Sequence, residues 1–444
     1  MIRVRFAPAP TNYMSVSAAR VALVNCLHAS RHGGRMLLRF DDLDQDRSRP
    51  AYAEAITRDL RWIGVEWNET LRQSERLDLY TAAIERLKQA GRLYPCFESE
   101  EELRAKRDLR QRRGQATVYD RAMLKLQPEQ IATIQARGKR PHWRFRLSDR
   151  TVSWDDLVLG PRQAKLPSVS DPILVTADGR PAPVLASVVD DIDTGITHII
   201  RAEDNAGNTG IQIELLEALG SGNARVRFGH LPPLGDGGRA RMGRRVAGMT
   251  LRGLRADGIE AAAIAACLAR TLSVDGIAPA PMENMARAFE LSRLPGLGAR
   301  FDAALLLSLN RQLLGTLDYA AVADRLPNGA TEAFWLAVRG RIDLLNEARG
   351  WWDVVAGTIV PPVIDGAKAF LTAAEDMLPA EPWDEAVWAD WTAALGRATG
   401  RAGDALAEPL RLALTGEDHG PDLADLLPLM GRARAAGRLR IAAA

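Results

Sequence analysis

Cysteine is scarce in this 444-residue chain: Cys26, Cys96 and Cys267 lie far apart, with no CxxC pair and no Cys/His cluster. That spacing excludes a disulfide framework and a zinc site, and free thiols suit a reducing, cytoplasmic compartment. No long uncharged apolar run is present, and the N-terminus runs straight into strand-like residues, so neither a signal peptide nor a membrane span is expected. An excess of one charge sign is missing too. The 58 Lys and Arg residues nearly cancel the 56 Asp and Glu residues, leaving a net charge of +2, so any nucleic-acid surface has to be local. No low-complexity tract or short internal repeat interrupts the chain.

What is present is the composition of a soluble protein, 47% hydrophobic and 26% charged, long enough for two to four domains. Residues 1–100 alternate strand and helix patterns: IRVRFA, a helix over 17–32, RMLLRFDD over 35–42, then helices over 52–64 and 79–91. That order predicts a parallel, doubly wound sheet. The stretch 101–185 breaks the rhythm with an Arg/Glu/Gln-rich helix and the strand-like PHWRFRL, TVSWDDLVLG and DPILVTADGRP, which reads as an inserted α+β subdomain. The α/β rhythm returns over 186–250, and from about 250 onward only amphipathic helices are expected, with breaks at Pro295-Gly296, Pro327-Asn328-Gly329, Pro361-Pro362 and Gly416. Three Arg-rich runs, 104–113, 137–146 and 239–245, divide evenly between a solvated face and a nucleic-acid contact.

The opening RFAPAPTNYM feeds a strand through a Pro-braced turn into the helix SAARVALVN, the usual place for an α/β protein to hold a nucleotide phosphate. The turn itself, Met14-Ser15-Val16-Ser17, has no glycine, no histidine and no lysine.

Several phrases, spread in order along the chain, resemble the glutamyl-tRNA synthetase family of class I aminoacyl-tRNA synthetases. They are RFAPAPTNYM, ALVNCLHASRHGGRMLLRFDDLDQDRSRP, LRWIGVEWNE, RQSERLDLY, SVVDDIDTGITHIIRAED, FGHLPPL and EPLRLALTG. The resemblance implies an α/β split Rossmann domain (1–100 and 186–250) carrying an acceptor-binding insert (101–185). An all-α C-terminal half would follow, with a stem-contact-like part (251–310) and an anticodon-binding-like part (311–444). It also implies a ligase that uses ATP with Mg2+, without zinc, to attach L-glutamate to tRNA, releasing AMP and diphosphate.

Residue by residue, the two nucleotide signatures of that family are altered. The HIGH-type motif reads Ser15, Val16, Ser17, Ala18, and the KMSKS-type loop reads Arg241-Met242-Gly243-Arg244-Arg245. Losing one preorganised donor to a developing charge costs about 3–4 kcal/mol, a hundred- to a thousandfold in rate. In the amino-acid pocket Arg5, Ala7 and Arg201 match the family, whereas its Ser, Glu, Tyr and Asn appear as Ala9, Asp41, Pro183 and Ser187. For tRNA, the resemblance points to Arg411 and Thr415, with Arg339, Arg341, Trp143 and Arg144 as further candidates. Against these stand plainer readings. His28 and His32 read as packing or surface residues, Asp190-Asp191-Asp193 and Asp41-Asp42-Asp44 as structural acids rather than metal ligands, and the ten Trp residues mostly as core. The expectation is a divergent paralogue that binds tRNA, for glutamate or a related one, with amino-acid activation lost or changed. The alternatives are an active glutamate–tRNA ligase with an unusual ATP site and a non-catalytic partner of another synthetase.

Overall fold

The computed structural model describes residues 1–220, 226–235, 250–272, 281–294, 296 and 298–444. The described residues form two compact units, one from within 1–235, 250–252 and 268–301, the other from 253–267 and 302–444.

The first unit opens with β1 (Arg3–Phe6), α1 (Val16–Arg31), β2 (Arg35–Phe40), α2 (Pro50–Trp62) and β3 (Glu69–Arg72), and β1, β2 and β3 pair in parallel in that order. VRF and MLLRF are buried without a break, so both sheet faces are covered, as a parallel sheet with helical crossovers requires. Then α3 (Leu77–Gln89) leads into β4 (Leu93–Cys96), α4 (Glu100–Arg112), α5 (Pro128–Ala136), β5 (His142–Phe145), a hairpin of β6 (Thr151–Asp156) and β7 (Gly160–Lys165), and β8 (Ile173–Val175). Strands β4, β5 and β8 make a separate antiparallel sheet. After it, α6 (Pro183–Asp193), β9 (His198–Ala202), α7 (Thr209–Ala218) and β10 (Arg227–Leu231) complete the parallel arrangement, β9 pairing with β10. The amide of Thr197 donates to the Arg3 carbonyl at 2.9 Å and ties the β9 edge to β1. The insert shares its core with the parallel sheet: Phe145, Leu166 and Leu174 pack in one cluster with Leu37, Tyr80, Leu185, Ile199 and Phe228.

Helices follow: α8 (Leu251–Ala256), α9 (Ala261–Arg270), α10 (Met282–Ala288), α11 (Ala303–Leu314), α12 (Glu332–Val338), α13 (Ala348–Ala356), α14 (Lys368–Asp376), α15 (Val387–Thr399), α16 (Asp404–Thr415), α17 (Leu423–Met430) and α18 (Arg432–Ala442). In the second unit Trp391, Leu395, Leu410, Leu414 and Leu439 form one core and Phe334, Trp335, Ile342 and Leu426 another. Gly416 ends α16 at a φ of +75°, a left-handed position that glycine takes without a steric cost. Two expectations need correcting. The later part is not wholly strand-free, since Ala299–Arg300 pairs with Leu234–Gly235. Among the ten Trp residues only Trp335 and Trp391 are fully buried; the others lie half-buried at the core's margin. No helix among the described residues is long and apolar enough to cross a membrane.

His28 on α1 and His198 on β9 are buried with ring centroids 5.2 Å apart, so His28 is a packing residue. Burial, then the neighbouring histidines and Arg227, pull the His28 imidazole down to about 4; burial and Arg227 do the same to His198. Both folded values lie below the unfolded value near 6.5. The unfolded chain therefore takes up these protons first, and the stability the pair contributes, present above about pH 6.5, is lost as the pH falls toward 4. We expect the urea midpoint to fall across that window, and a His198→Phe variant to show a shallower fall. Equal slopes in the two proteins would rule out the pair as the cause.

Candidate functional site

The carboxyl ends of β1, β2 and β9 open onto a cavity of about 470 Å³ bounded by the start of α1, the start of α6 and the segment leading into α7. Its lining includes Arg5, Ala7, Ser17, Ala18, Asp41, Pro183, Ser187 and Arg201. Most of the amino-acid residues expected from the sequence thus meet in one place, although they come from points nearly 200 positions apart. Ala9 does not; it is exposed and absent from the lining.

One wall is an ion-pair lattice that the sequence reading missed. The Arg39 guanidinium is 1% exposed. Its Nε and Nη2 donate to the two oxygens of Asp41 at 2.7 and 3.2 Å, its Nη1 to Asp191 Oδ1 at 3.0 Å, and its Nη2 to Ser187 Oγ at 2.9 Å. Arg5 donates from Nε to the same Asp191 oxygen at 3.2 Å. Burial opposes the Arg39 charge, but Asp41 and Asp191 outweigh it and raise the guanidinium above its ordinary value. Burial pushes the Asp41 carboxyl up against the pull of Arg39. Asp190 accepts from Gln73 Nε2 at 2.9 Å, Arg76 Nε at 2.8 Å and the Tyr80 hydroxyl at 3.0 Å. The acidic run on α6 is structural, as expected, though it works by clamping cations rather than by capping. Asp42 accepts the amide and hydroxyl of Ser74, each at 2.8 Å, and Asp44 pairs with Arg47.

Opposite stands Arg201, which donates from Nε to His230 Nε2 at 3.1 Å and from Nη2 to the Asn205 carbonyl and Thr209 Oγ1, both at 3.0 Å. Burial and the like charge of Arg5 bring its guanidinium down to about 10. Asn205, Asn208 and Gln212 complete the lining and had no motif to betray them. Arg39 did carry a signal: a lone arginine inside the apolar run MLLRF has to be paired if the strand is buried.

The nucleotide turn shows what became of its altered residues. Ser15 is the N-cap of α1, its Oγ accepting the Ala18 amide at 3.2 Å, and it does not line the cavity. Ser17 and Ala18 place their side chains in the cavity wall instead. Pro183 is the first residue of α6, where its missing N–H leaves no bond unmade. Arg241 and Arg244 lie outside the described residues.

The tRNA candidates divide. Arg144 is buried, donating to the Asp171 carbonyl and lying 4.2 Å from the Tyr119 ring. Trp143 is half-buried with Lys88 Nζ 4.4 Å from its ring centroid. Neither presents a free face of the kind expected. Thr415 is also buried, its hydroxyl donating to the Arg411 carbonyl at 2.8 Å and accepting the Glu417 amide at 3.1 Å. Arg411 is half-buried and donates to the Pro421 carbonyl at 3.0 Å. Arg341 is exposed and lines a second cavity of about 360 Å³ with Arg311, Trp351 and His419. Of the Arg-rich runs, the first forms α4, which has no buried residue, and the third lies outside the described residues.

Comparison with known proteins places this arrangement. The family model for class I tRNA synthetases (E and Q), catalytic domain, matches residues 1–302, and an anticodon binding domain model matches residues 363–443. A protein of Granulibacter bethesdensis named glutamate–tRNA ligase 2 is 55% identical, covering 99% of this chain and 98% of its own length. One of the same name from Gluconacetobacter diazotrophicus is 52% identical over the whole of both chains. The crystal structure of a glutamate tRNA ligase from Elizabethkingia meningosepticum in complex with its amino acid superposes with a TM-score of 0.82 at 24% identity, covering 100% of this chain and 99% of that one, and shows the same fold.

Two substitutions test this geometry. Ser15→Ala should lower the free energy of unfolding by about 1 kcal/mol, with Ser15→Asp close to the parent; an unchanged Ser15→Ala would remove the cap. Arg39→Met leaves the half-buried Asp41 without its cation and the buried Asp191 with Arg5 alone, and should cost about 3–5 kcal/mol in chemical denaturation, where a loss below about 1 kcal/mol would mean that the lattice is not holding the wall.

Proposed function

The chain belongs to the class I tRNA synthetases of the glutamyl and glutaminyl type, and from that premise we propose that it is a tRNA-binding member whose amino-acid activation is lost or altered. The observation that carries this reading is the use made of Ser15. Its hydroxyl is committed to the α1 cap, and the next side chains, Ser17 and Ala18, occupy the cavity wall beside the helix N-terminus. A turn that is to cradle a nucleotide needs open backbone N–H groups and close approach, which glycine permits and these side chains obstruct. Among the described residues, no imidazole or ammonium group lines the cavity to meet phosphate charge.

The amino-acid side of the pocket supports a retained ligand. Arg5 and Arg201 offer guanidinium groups to a carboxylate, and Asp41 stands where an ammonium group would be held. Pro183 offers no side-chain donor to a second carboxylate, so a bound acid would rest mainly on the arginines. Binding of tRNA is supported by the anticodon-domain match and by the exposed Arg341 beside Trp351, a cation with an adjacent aromatic suited to an unstacked base.

A second reading, an active glutamate–tRNA ligase with an unusual ATP site, is favoured by the named relatives at more than 50% identity over nearly full length. ATP would then supply the adenylyl group, and the chain's own part would be to hold the acid on Arg5 and Arg201.

The separating experiment is ATP- and glutamate-dependent charging of total tRNA, beside a gel-shift with the same tRNA. The purified protein is expected to shift tRNA yet charge it at least about a hundredfold more slowly than a Ser15→His, Ser17→Gly variant. Brisk charging by the unmodified chain would establish the second reading. Absence of both charging and shift would remove the tRNA-binding reading.

A further inference from the structure

Arg201 reaches the pocket through a buried chain of three side chains. It begins at the tip of the β6–β7 hairpin, which lies outside the parallel sheet. Asp156 ends β6, and its Oδ1 accepts the amides of Val158 at 3.1 Å, Leu159 at 3.0 Å and His230 at 3.0 Å. Its Oδ2 faces His230 Nδ1 at 2.5 Å. Both side chains are fully buried. Burial alone would raise the Asp156 carboxyl, but the bond to His230 and the three amides outweigh it and hold it at about 2. It is thus an anion that only accepts.

The other face of the imidazole is equally constrained. His230 stands opposite Arg201 in the β9–β10 register, and its Nε2 lies 3.1 Å from both Arg201 Nε and Thr209 Oγ1. An arginine Nε–H can only donate. With an anion on one side and an obligate donor on the other, the proton sits on Nδ1 and the lone pair on Nε2. The Arg201 guanidinium is then fixed by Nε and Nη2, and among the described residues its Nη1 has no hydrogen-bond partner, while the residue lines the cavity.

We propose that Asp156 is a positioning residue of the pocket: it fixes His230 as the Nδ1–H tautomer, and the lone pair so presented at Nε2 anchors Arg201 with Nη1 turned to a ligand carboxylate. This rests on the reading of the cavity as a carboxylate site. The hairpin tip therefore acts on the ligand without touching it, in the way that outer hydrogen bonds set the tautomer of a metal-ligating histidine. The near-isosteric Asp156→Asn change reverses the logic. An amide nitrogen facing Nδ1 donates to it, the proton moves to Nε2, and two donors then confront each other at Arg201.

The test uses the full chain with 15N-labelled histidine and arginine. In the parent protein His230 should give a protonated-type Nδ1 and an unprotonated-type Nε2, with a slowly exchanging Arg201 Nε–H. In Asp156→Asn the two nitrogen types should exchange roles, the Arg201 signal should lose its protection, and glutamate affinity by calorimetry should fall at least tenfold. An Asp156→Asn variant that loses affinity while His230 keeps the proton on Nδ1 would make the role of Asp156 purely structural, which overturns the proposal. So would an Nε2–H tautomer in the parent protein, a result that needs no variant to fold. A parent protein that binds no glutamate counts against the carboxylate reading of the cavity, and the tautomer and the Arg201 signal still decide whether Asp156 sets the anchor.

Discussion

The Arg39 guanidinium joins segments that are far apart in the chain, and the pocket depends on it. It leaves β2 near its carboxyl end, meets Asp41 two residues on, and reaches Ser187 and Asp191, 148 and 152 residues later. A buried cation has to find its anions. That requirement fixes where α6 lies against the first three strands, and with it the position of Pro183 and Ser187. Because Asp191 also takes Arg5, the two halves of the parallel sheet are locked together by the same carboxylate that orients one of the pocket's own arginines. A pocket built this way keeps its shape whether or not a ligand is bound, because its walls satisfy one another.

That self-sufficiency explains how the nucleotide turn could change without loss of the fold. Ser15 is among the best residues for a helix N-cap, so the residue standing in the turn serves the start of α1. Pro183 repeats the pattern, since proline suits the first turn of a helix where its missing N–H is not needed. Arg5 is braced by Asp191, and Arg201 by His230, Thr209 and the Asn205 carbonyl, so their guanidinium groups stay poised at the cavity. On the proposed reading the two sides of the cleft differ: the arginines of the acid side are braced toward the cavity, while the turn beside them carries side chains in its wall.

Much of the first unit was legible in the sequence because its elements obey local rules. The helix over 17–32 and the structure's Val16–Arg31, the strand in THIIRAED and His198–Ala202, and the stop at Gly416 all follow from periodicity and punctuation. The gathering of Arg5, Ala7, Asp41, Pro183, Ser187 and Arg201 at one cavity is what the family resemblance implied. What stayed hidden was whatever depends on a partner far along the chain. Arg39 read as one residue of a strand, and Asp156 as one residue of the strand-like TVSWDDLVLG, until their contacts appeared. Exposure was hidden for the same reason: Arg144 and Thr415 carry groups suited to RNA, yet their bonds face inward. Ala9, one residue past the cavity rim, shows the opposite error, in which a motif position survives but its side chain has nothing to reach with.

The central claim is that the turn after β1 no longer holds a nucleotide while the acid-binding half persists. The most direct measurement is calorimetric titration of the purified chain with ATP and magnesium, in the presence and absence of L-glutamate. The account predicts no saturable heat from ATP at millimolar concentration in either condition. Saturable, stoichiometric ATP binding at micromolar concentration would contradict it.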